Sequence, residues 1–233
     1  MGKLTSIWMI SSRRRHDARA VAFAGLALLG VAGCSSGHEG EWGDVYSIMS
    51  QALGGTPPGV SMQDAAAIPF ATIGIRVDNG PQGILVLATN NPEQQLWTSA
   101  SHVVLLTQNG RILRTAGLPH NRTDIRLLSG SRDAPPLQGS VETRWEEDFG
   151  DLHLYAIPVT CRTIARGREG VKNFTSVIPT VHIDEECRAE TIDWTFTNTY
   201  WISPKDGLTW RSIQYISPKL GPLEIDILRP PSK

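Results

Sequence analysis

The chain has 233 residues, of which 19% are charged and 40% hydrophobic, and its formal net charge is −1. Five of its 22 basic and one of its 23 acidic residues lie in residues 1–33, so the remaining 200 residues carry 17 basic and 22 acidic side chains, a net charge of −5. That charge is poorly suited to holding nucleic acid by bulk electrostatics. No hydrophobic run after residue 33 approaches the length of a membrane helix.

The first element predicted is a lipoprotein signal peptide over residues 1–33. Arginines at positions 13, 14, 15 and 19 precede an apolar core from Ala20 to Val31, which is too short to span a bilayer. Small residues at Ala32 and Gly33 then lead into Cys34, an order typical of a lipobox. The thiol of Cys34 would take a diacylglyceryl thioether and become the first residue of the mature chain.

The lipid anchor predicts the compartment. Several acyl chains bury enough CH₂ groups, each worth about 0.8 kcal/mol, to make attachment effectively permanent. Ser35 follows the lipidated cysteine, where an aspartate would be associated with retention in the inner membrane, so we expect the periplasmic face of the outer membrane. Residues 34–41 form a short tether, and residues 42–233 are expected to form a single β-rich periplasmic domain.

Two further cysteines, Cys161 and Cys187, form an even pair in a compartment that oxidises thiols. A disulfide between them is the simple interpretation, and two buried free thiols are the alternative, because spacing alone does not show that the Cα atoms are close. The segment between them is rich in glycine and charge, which predicts an exposed loop whose ends the bridge would join.

The periodicity predicts a short helix followed by strands. Residues Trp42 to Leu53 have apolar side chains at helical spacing and end at Gly54-Gly55, and one more helical turn is expected before Pro69. Three β-hairpins are predicted around turn sequences at residues 78–81, 108–110 and 206–207. Residues 191–197 alternate, placing Ile192, Trp194 and Phe196 on one face.

The fold class predicted from these signals is mainly β, without βαβ units. About ten short antiparallel strands, spaced as in a sandwich or an open barrel, follow the short N-terminal helix. The strands are expected at residues 71–77, 84–89, 102–107, 111–115, 141–145, 152–160, 177–183, 191–197, 200–202, 208–216 and 223–228.

Three segments carry a family resemblance. Residues 69–75 (PFATIGI), 110–118 (GRILRTAGL) and 212–218 (SIQYISP), with Ile227-Leu228-Arg229-Pro230 at the end, resemble the YjbF/GfcB lipoproteins of group 4 capsule and related exopolysaccharide clusters. The resemblance implies a mainly antiparallel β protein on the periplasmic face of the outer membrane. It also implies partners, namely polysaccharide and a large outer-membrane export barrel, and it implies no catalytic residues and no cofactor.

Candidate chemistry outside the resemblance is weak. The tract from His182 to Cys187, with His153, offers metal-ligand types but lacks structural zinc spacing, so no metal site is predicted. Five acids near Trp145 would suit a glycosidase pair, but clustered acids on a short loop are more often a solvated surface. They are Glu142, Glu146, Glu147, Asp148 and Asp151.

Aromatic and arginine side chains are the remaining candidates for glycan contact. Tryptophans at positions 97, 145, 194, 201 and 210 could stack on sugars, although core packing is the default for alternating aromatics. Arg111 and Arg114 should face opposite sides of a sheet, so only one of them can share a pocket with Arg211 or its neighbours. The candidate glycan contacts are therefore Trp145, Arg111 and Arg211.

The function predicted from the sequence is that of a non-enzymatic outer-membrane lipoprotein, an accessory in exopolysaccharide or capsule secretion that binds the glycan, the export barrel or both. Two alternatives stay open. A polysaccharide-modifying hydrolase predicts an acidic pair that meets in a cleft. A periplasmic carrier or assembly factor predicts an apolar cavity.

Overall fold

The structure, a computed structural model, describes residues 65, 67–91, 93–132, 135, 137–173 and 176–231. All of them belong to one compact unit, His38–Lys233, and a second unit, Met1–Gly37, lies outside the described residues. The lipobox, the tether and the predicted helix from Trp42 to Leu53 also lie outside them. Within the described part of the chain, no helix is long and apolar enough to cross a membrane.

The described residues form a single antiparallel sheet of twelve strands. In chain order these are β1 (Thr72–Val77), β2 (Gly83–Asn90), β3 (Gln95–Thr98), β4 (Val104–Gln108), β5 (Arg111–Ala116), β6 (Asp124–Ser129), β7 (Ser140–Phe149), β8 (Leu154–Asn173), β9 (Ser176–Ala189), β10 (Trp194–Ile202), β11 (Thr209–Gln214) and β12 (Leu223–Arg229).

The sheet curls until its two ends nearly meet, so the barrel alternative of the prediction is the better one. The strand order is β5-β4-β3-β2-β1-β12-β11-β10-β9-β8-β7-β6, which leaves β5 and β6 as the ends. The amide of Thr115 donates to the carbonyl of Arg122, and the Arg114 guanidinium lies 2.9 Å from the Asp124 carboxylate. These bonds join the two ends of the sheet without a regular ladder, and a nearly closed sheet leaves little exposed edge.

The three predicted hairpins are present. β1 pairs with β2, β4 with β5, and β10 with β11. In the β4–β5 turn both Asn109 and Gly110 have positive φ, 51° and 80°, as a tight hairpin of the primed type requires. The Asn-Gly pair tolerates these angles better than other residues, which is why this sequence signal located the turn correctly.

The strand count and two strand lengths were predicted wrongly. Strands β3 and β6 were missed because β3 has only four residues and neither strand has a clear period-2 pattern. The predicted strands at 191–197 and 200–202 are one strand, β10, which begins at Trp194 after a 3₁₀ turn. β8 and β9, with 20 and 14 residues, are long rather than short.

Cys161 and Cys187 are joined by a disulfide, and their Cα atoms lie 4.1 Å apart as direct partners on β8 and β9. The predicted exposed loop between them was wrong, because that segment forms a regular β-hairpin. Gly167 lies at a register shift with φ of 133°, so the glycine that indicated a loop provides a bulge instead.

The interior of the sheet holds three apolar clusters. The largest lines β1 to β5 and β12 and includes Ile73, Ile75 and Trp97. A second surrounds Trp145, Phe149 and the disulfide, and the predicted face of Ile192, Trp194 and Phe196 packs into it. A small third cluster contains Ile183 and Tyr200. Polar and charged side chains lie between these clusters, inside the barrel.

Candidate functional site

A band of buried polar side chains crosses the barrel interior. Glu185 on β9 points inward because it is in phase with Ile183 and Cys187, and Asn198 on β10 is in phase with Phe196 and Tyr200. Glu185 is 0% exposed and Asn198 3% exposed. A carboxylate at such a position costs several kcal/mol unless it is paired and hydrogen-bonded.

Arg111 provides that pair from the opposite end of the sheet. Its Nη1 and Nη2 atoms donate to the two carboxylate oxygens of Glu185 at 2.9 and 2.5 Å, the bidentate geometry that suits guanidinium and carboxylate. The same guanidinium lies over the ring of Trp145, 4.6 Å from its centroid. Arg111 on β5 and Glu185 on β9 are far apart in the strand order, so this ion pair spans the interior of the barrel.

The remaining hydrogen-bonding capacity of Glu185 is also used. Asn198 Nδ2 donates to Glu185 Oε2 at 2.9 Å, and the Tyr200 hydroxyl lies 3.3 Å from the same oxygen. Gln214 extends the network, since its amide nitrogen donates to the Gly110 carbonyl at 2.7 Å and its amide oxygen accepts from the Ile112 amide at 3.0 Å. The ion pair is therefore continuous with the backbone of β5.

The network fixes the charge states of its members. Burial alone would raise the pKa of Glu185, but the adjacent Arg111 guanidinium, with hydrogen bonds from Asn198 and Tyr200, holds that pKa below its usual value. Burial alone would lower the pKa of Arg111, yet Glu185 raises it above its usual range. Burial raises the pKa of Tyr200, so the phenol stays neutral and can donate. The pair is charged and self-neutralising.

A second buried ion pair joins Arg122 and Glu147. The Nε atom of Arg122 donates to Glu147 Oε2 at 3.1 Å, and Nη2 lies 2.9 Å from the same oxygen. The guanidinium also donates to the carbonyls of Ile112 and Tyr215 at 2.9 and 2.8 Å. Burial raises the pKa of Glu147, and the nearby Arg122 and Arg111 only partly offset that effect. Arg122 therefore ties the segment before β6 to β5 and to the residue after β11.

The five acids proposed for a glycosidase do not converge, and only Asp151, in the 3₁₀ turn Gly150–Leu152, lies in a connection, as the sequence suggested for all five. Glu142 to Asp148 belong to β7, whose alternation sends Glu147 inward and Glu146 outward. Glu146 pairs with Arg126 and Asp151 with His120, while Glu142 lies 3.6 Å from Arg144. One Asp148 oxygen accepts the amide of Ala156 at 2.7 Å. Each of these carboxylates has a local partner.

The three candidate glycan contacts separate into two places. Trp145 and Arg111 touch each other inside the barrel, and Trp145 is only 2% exposed, with its indole N–H donated to Thr143 Oγ1 at 2.9 Å. Arg211 does not share their pocket, because on β11 it pairs with Asp226 at 2.6 Å and lies opposite Trp201. Arg111 and Arg114 do face opposite sides, as expected, with Arg114 largely exposed.

In the tract from His182 to Cys187, the residues weighed as metal ligands have other partners. His182 stacks on Trp201 with ring centroids 5.0 Å apart, and its two nitrogens lie 3.0 Å from Glu169 and Asp184. Cys161 and Cys187 lie close to Glu185, but their sulfurs are used in the disulfide. A metal would have to break that bond to gain thiolate ligands.

An open cleft of about 220 Å³ lies at one end of the barrel. It is formed where the β2–β3 connection, the β4–β5 turn and the β10–β11 turn meet the first residues of β1 and the last of β12. Apolar side chains line one part of it, including Ile73, Ile225, Ile227, Trp97 and Leu208. Polar side chains line the rest, including Asn91, Gln94, Gln95, Gln108, Asn109 and Asp206.

The sequence contained a signal for the buried network that was not used. Glu185 alternates with Ile183 and Cys187, and Asn198 alternates with Phe196 and Tyr200, so a period-2 pattern placed both polar residues on a core face. A polar residue in phase with core residues indicates a buried, paired group. The cleft residues carried no such signal, because they come from three connections distant in the chain.

The comparisons with known proteins agree with the fold. The chain is 27% identical to the lipoprotein YjbF of Escherichia coli (strain K12) over 177 residues, covering 74% of this chain and 82% of that protein. It is 25% identical to the lipoprotein GfcB of the same strain over 178 residues, covering 73% and 81%. The crystal structure of the lipoprotein YmcC from Escherichia coli (K12) superposes with a TM-score of 0.61 at 22% identity, covering 81% of this chain and 94% of that one.

The family model described as "Group 4 capsule polysaccharide lipoprotein gfcB, YjbF" matches residues 44–228. That range includes both buried ion pairs and all strands of the barrel except Arg229, the last residue of β12. The resemblance noted at residues 69–75, 110–118 and 212–218 is thereby confirmed. The protein belongs to the YjbF family of group 4 capsule polysaccharide lipoproteins.

Proposed function

We propose that this protein is a non-enzymatic accessory of capsule or exopolysaccharide secretion, which binds the glycan, the outer-membrane export barrel or both. The lipid on Cys34 would hold the domain on the periplasmic face of the outer membrane, where polymer leaves the cell. Family membership supports a capsule-related lipoprotein. The anchor, the location and the partners are the parts of this proposal that go beyond it.

The observation that carries the proposal is an open cleft with polar groups on its rim, together with interior acids that are buried beside arginines. Glu185 and Glu147 are each held by an arginine inside the barrel and neither lines the cleft. Glycoside hydrolysis needs two carboxyl groups on either side of the scissile bond, one of which exchanges a proton. A carboxyl group enclosed beside an arginine in the barrel interior has no access to a sugar, which favours binding over chemistry.

The cleft also favours a polar ligand over the apolar cargo of a carrier or assembly factor. A hydrophobic carrier needs an enclosed cavity lined mainly by apolar side chains, whereas this cleft is open and amide and carboxylate groups share its lining with the apolar side chains. A lipoprotein on the periplasmic face has no access to nucleotide-sugars, so its contribution would come after polymerisation has begun.

Deletion of the gene tests the proposal. Surface and secreted polysaccharide should fall, while cytoplasmic pools of nucleotide-sugar precursors stay at wild-type levels or rise. Complementation with the wild-type gene should restore export, and complementation with Cys34→Ala should not, because that protein cannot be lipidated. Normal polysaccharide export in the deletion strain would contradict the proposal.

A further inference from the structure

We infer that the cleft at the open end of the barrel binds an uncharged sugar unit, with its apolar wall against one face of the ring and its amides on the hydroxyl groups. The inference rests on the proposed function only for its biological meaning, since the binding itself follows from the lining.

The lining is amphipathic in the way that a sugar is. The apolar wall contains Trp97, which is 2% exposed and fixed by donation from its indole nitrogen to Thr107 Oγ1 at 3.0 Å. Ile225 and Ile227 from β12 continue this wall. A pyranose ring presents C–H groups on its faces and hydroxyl groups around its edge, so an apolar wall beside a polar rim matches both.

The rim offers hydrogen-bonding groups that the fold does not use. The side chains of Gln94 and Gln108 make no hydrogen bond to any described residue, and each amide supplies two donor hydrogens and an acceptor oxygen. Ser212, which is 2% exposed, accepts from Gln214 at 2.9 Å and keeps its hydroxyl hydrogen for another acceptor. A sugar hydroxyl group both donates and accepts hydrogen bonds, so it can pair with the two glutamine amides and with the Ser212 hydroxyl.

The charges around the cleft exclude an acidic sugar. Glu93 and Asp206 line it, and none of the described lining residues is basic. A uronic acid or a phosphate would therefore meet two carboxylates and no counter-charge, which costs free energy at short range. A neutral sugar meets no such penalty, and carboxylates accept hydrogen bonds from hydroxyl groups strongly.

The size of the cleft limits the ligand. At about 220 Å³ it is smaller than the roughly 300–1,000 Å³ of pockets for drug-sized molecules, and a liquid water occupies about 30 Å³. It therefore holds a single sugar ring, either a chain end or one unit of a polymer that passes across the mouth. Affinity for one unit should be weak, and a chain of units would gain by repeated rebinding.

Saturation-transfer NMR on the full-length purified protein tests the inference. The probes are neutral trisaccharides of glucose, galactose, mannose and N-acetylglucosamine, and trigalacturonic acid as the anionic counterpart. At least one neutral probe should bind, and trigalacturonic acid should bind at least tenfold more weakly than that probe. The inference would be overturned if none of the four neutral probes bound at a concentration on the order of 10 mM, which is near the weakest useful affinity. It would also be overturned if trigalacturonic acid bound as tightly as the neutral probe.

Substitutions on the rim of the cleft test whether the sugar binds there. The double variant Gln94→Ala/Gln108→Ala should weaken binding of the neutral probe at least tenfold, because it removes two free amides without touching the core. Gln138→Ala is the matched control, since it removes an exposed amide that does not line the cleft. Unchanged binding by the double variant would overturn the site.

The same variants separate this inference from the proposed function. In the deletion strain, Gln94→Ala/Gln108→Ala should restore less surface polysaccharide than Gln138→Ala or the wild type. If the deletion reduces export and the double variant restores surface polysaccharide fully, the sugar site in the cleft is contradicted but the proposed function is not. A deletion without an export defect would contradict the proposed function and leave the binding measurements to decide the cleft.

Discussion

Replacing Arg111 by methionine should destabilise the fold strongly, because it leaves Glu185 charged, 0% exposed and without its counter-ion. Removing one member of a buried ion pair costs about 3–5 kcal/mol, and loss of the contact with the Trp145 ring adds about 0.5–2 kcal/mol. We therefore expect Arg111→Met to lower the free energy of unfolding by about 4 kcal/mol or more.

The loss of stability should be smaller when the unpaired charge of Glu185 is also removed. In Arg111→Met/Glu185→Gln the glutamine is neutral and can keep the hydrogen bonds from Asn198 and Tyr200. The double variant should therefore be more stable than Arg111→Met alone, with a coupling energy of about 2 kcal/mol or more. The matched control is Arg114→Met on the same strand, whose exposed ion pair with Asp124 should be worth less than about 1 kcal/mol.

Urea unfolding, followed by tryptophan fluorescence, measures the five free energies needed, those of the wild type, Arg111→Met, Glu185→Gln, the double variant and Arg114→Met. The reasoning would be refuted if Arg111→Met cost no more than Arg114→Met. It would also be refuted if the double variant were less stable than Arg111→Met, because the cost would then not come from an unpaired buried charge.

Three further predictions concern the rest of the barrel. Cys161→Ala/Cys187→Ala should lower the free energy of unfolding, measured in urea, by about 2–4 kcal/mol. Without reductant, neither Cys161 nor Cys187 of the wild type should be alkylated, because both sulfurs are used in the disulfide. Because the pKa of Glu185 is lowered in the folded state, its carboxylate stabilises the fold above pH 4.5, and this contribution is lost as pH falls through the folded pKa. The free energy of unfolding of Glu185→Gln should therefore fall less steeply below pH 4.5 than that of the wild type. An equal slope in both proteins would contradict the ion pair. Gly110→Ala should destabilise the fold by more than about 1 kcal/mol, because φ is +80° and the new Cβ would clash with the Thr209 side chain. An unchanged urea midpoint would contradict this conformation of the turn.

The sequence predicted the turns of this barrel better than its strands. Asn109-Gly110 and Asp206-Gly207 located hairpins because few residues tolerate the positive φ that such turns need. Strand β3 was missed because four residues are too few for a period to show, and its place in the sheet depends on β2 and β4. Local patterns carry no information about such distant partners.

The candidate site, like the fold, could be predicted only in part from the sequence. Arg111 was singled out from the sequence, but its partner Glu185 lies 74 residues away and was grouped with the acidic tract that follows His182. One of Arg111 and Arg114 was expected to share a pocket with Arg211 or its neighbours, but strand alternation with a bulge at β11 places Arg211 on the outer face. Register shifts of one residue reverse the face of a side chain, which composition and spacing do not predict.

The proposed function and the inferred sugar site together require that this protein bind polysaccharide without cleaving it. The most direct measurement incubates the purified protein with the polysaccharide exported by its own strain, and records retention on the immobilised protein together with the size distribution of the polymer. We predict that the polymer is retained, that neutral sugars released from it compete, and that its chain length stays unchanged. Shortened chains with new reducing ends, or no retention of the polymer, would contradict the account.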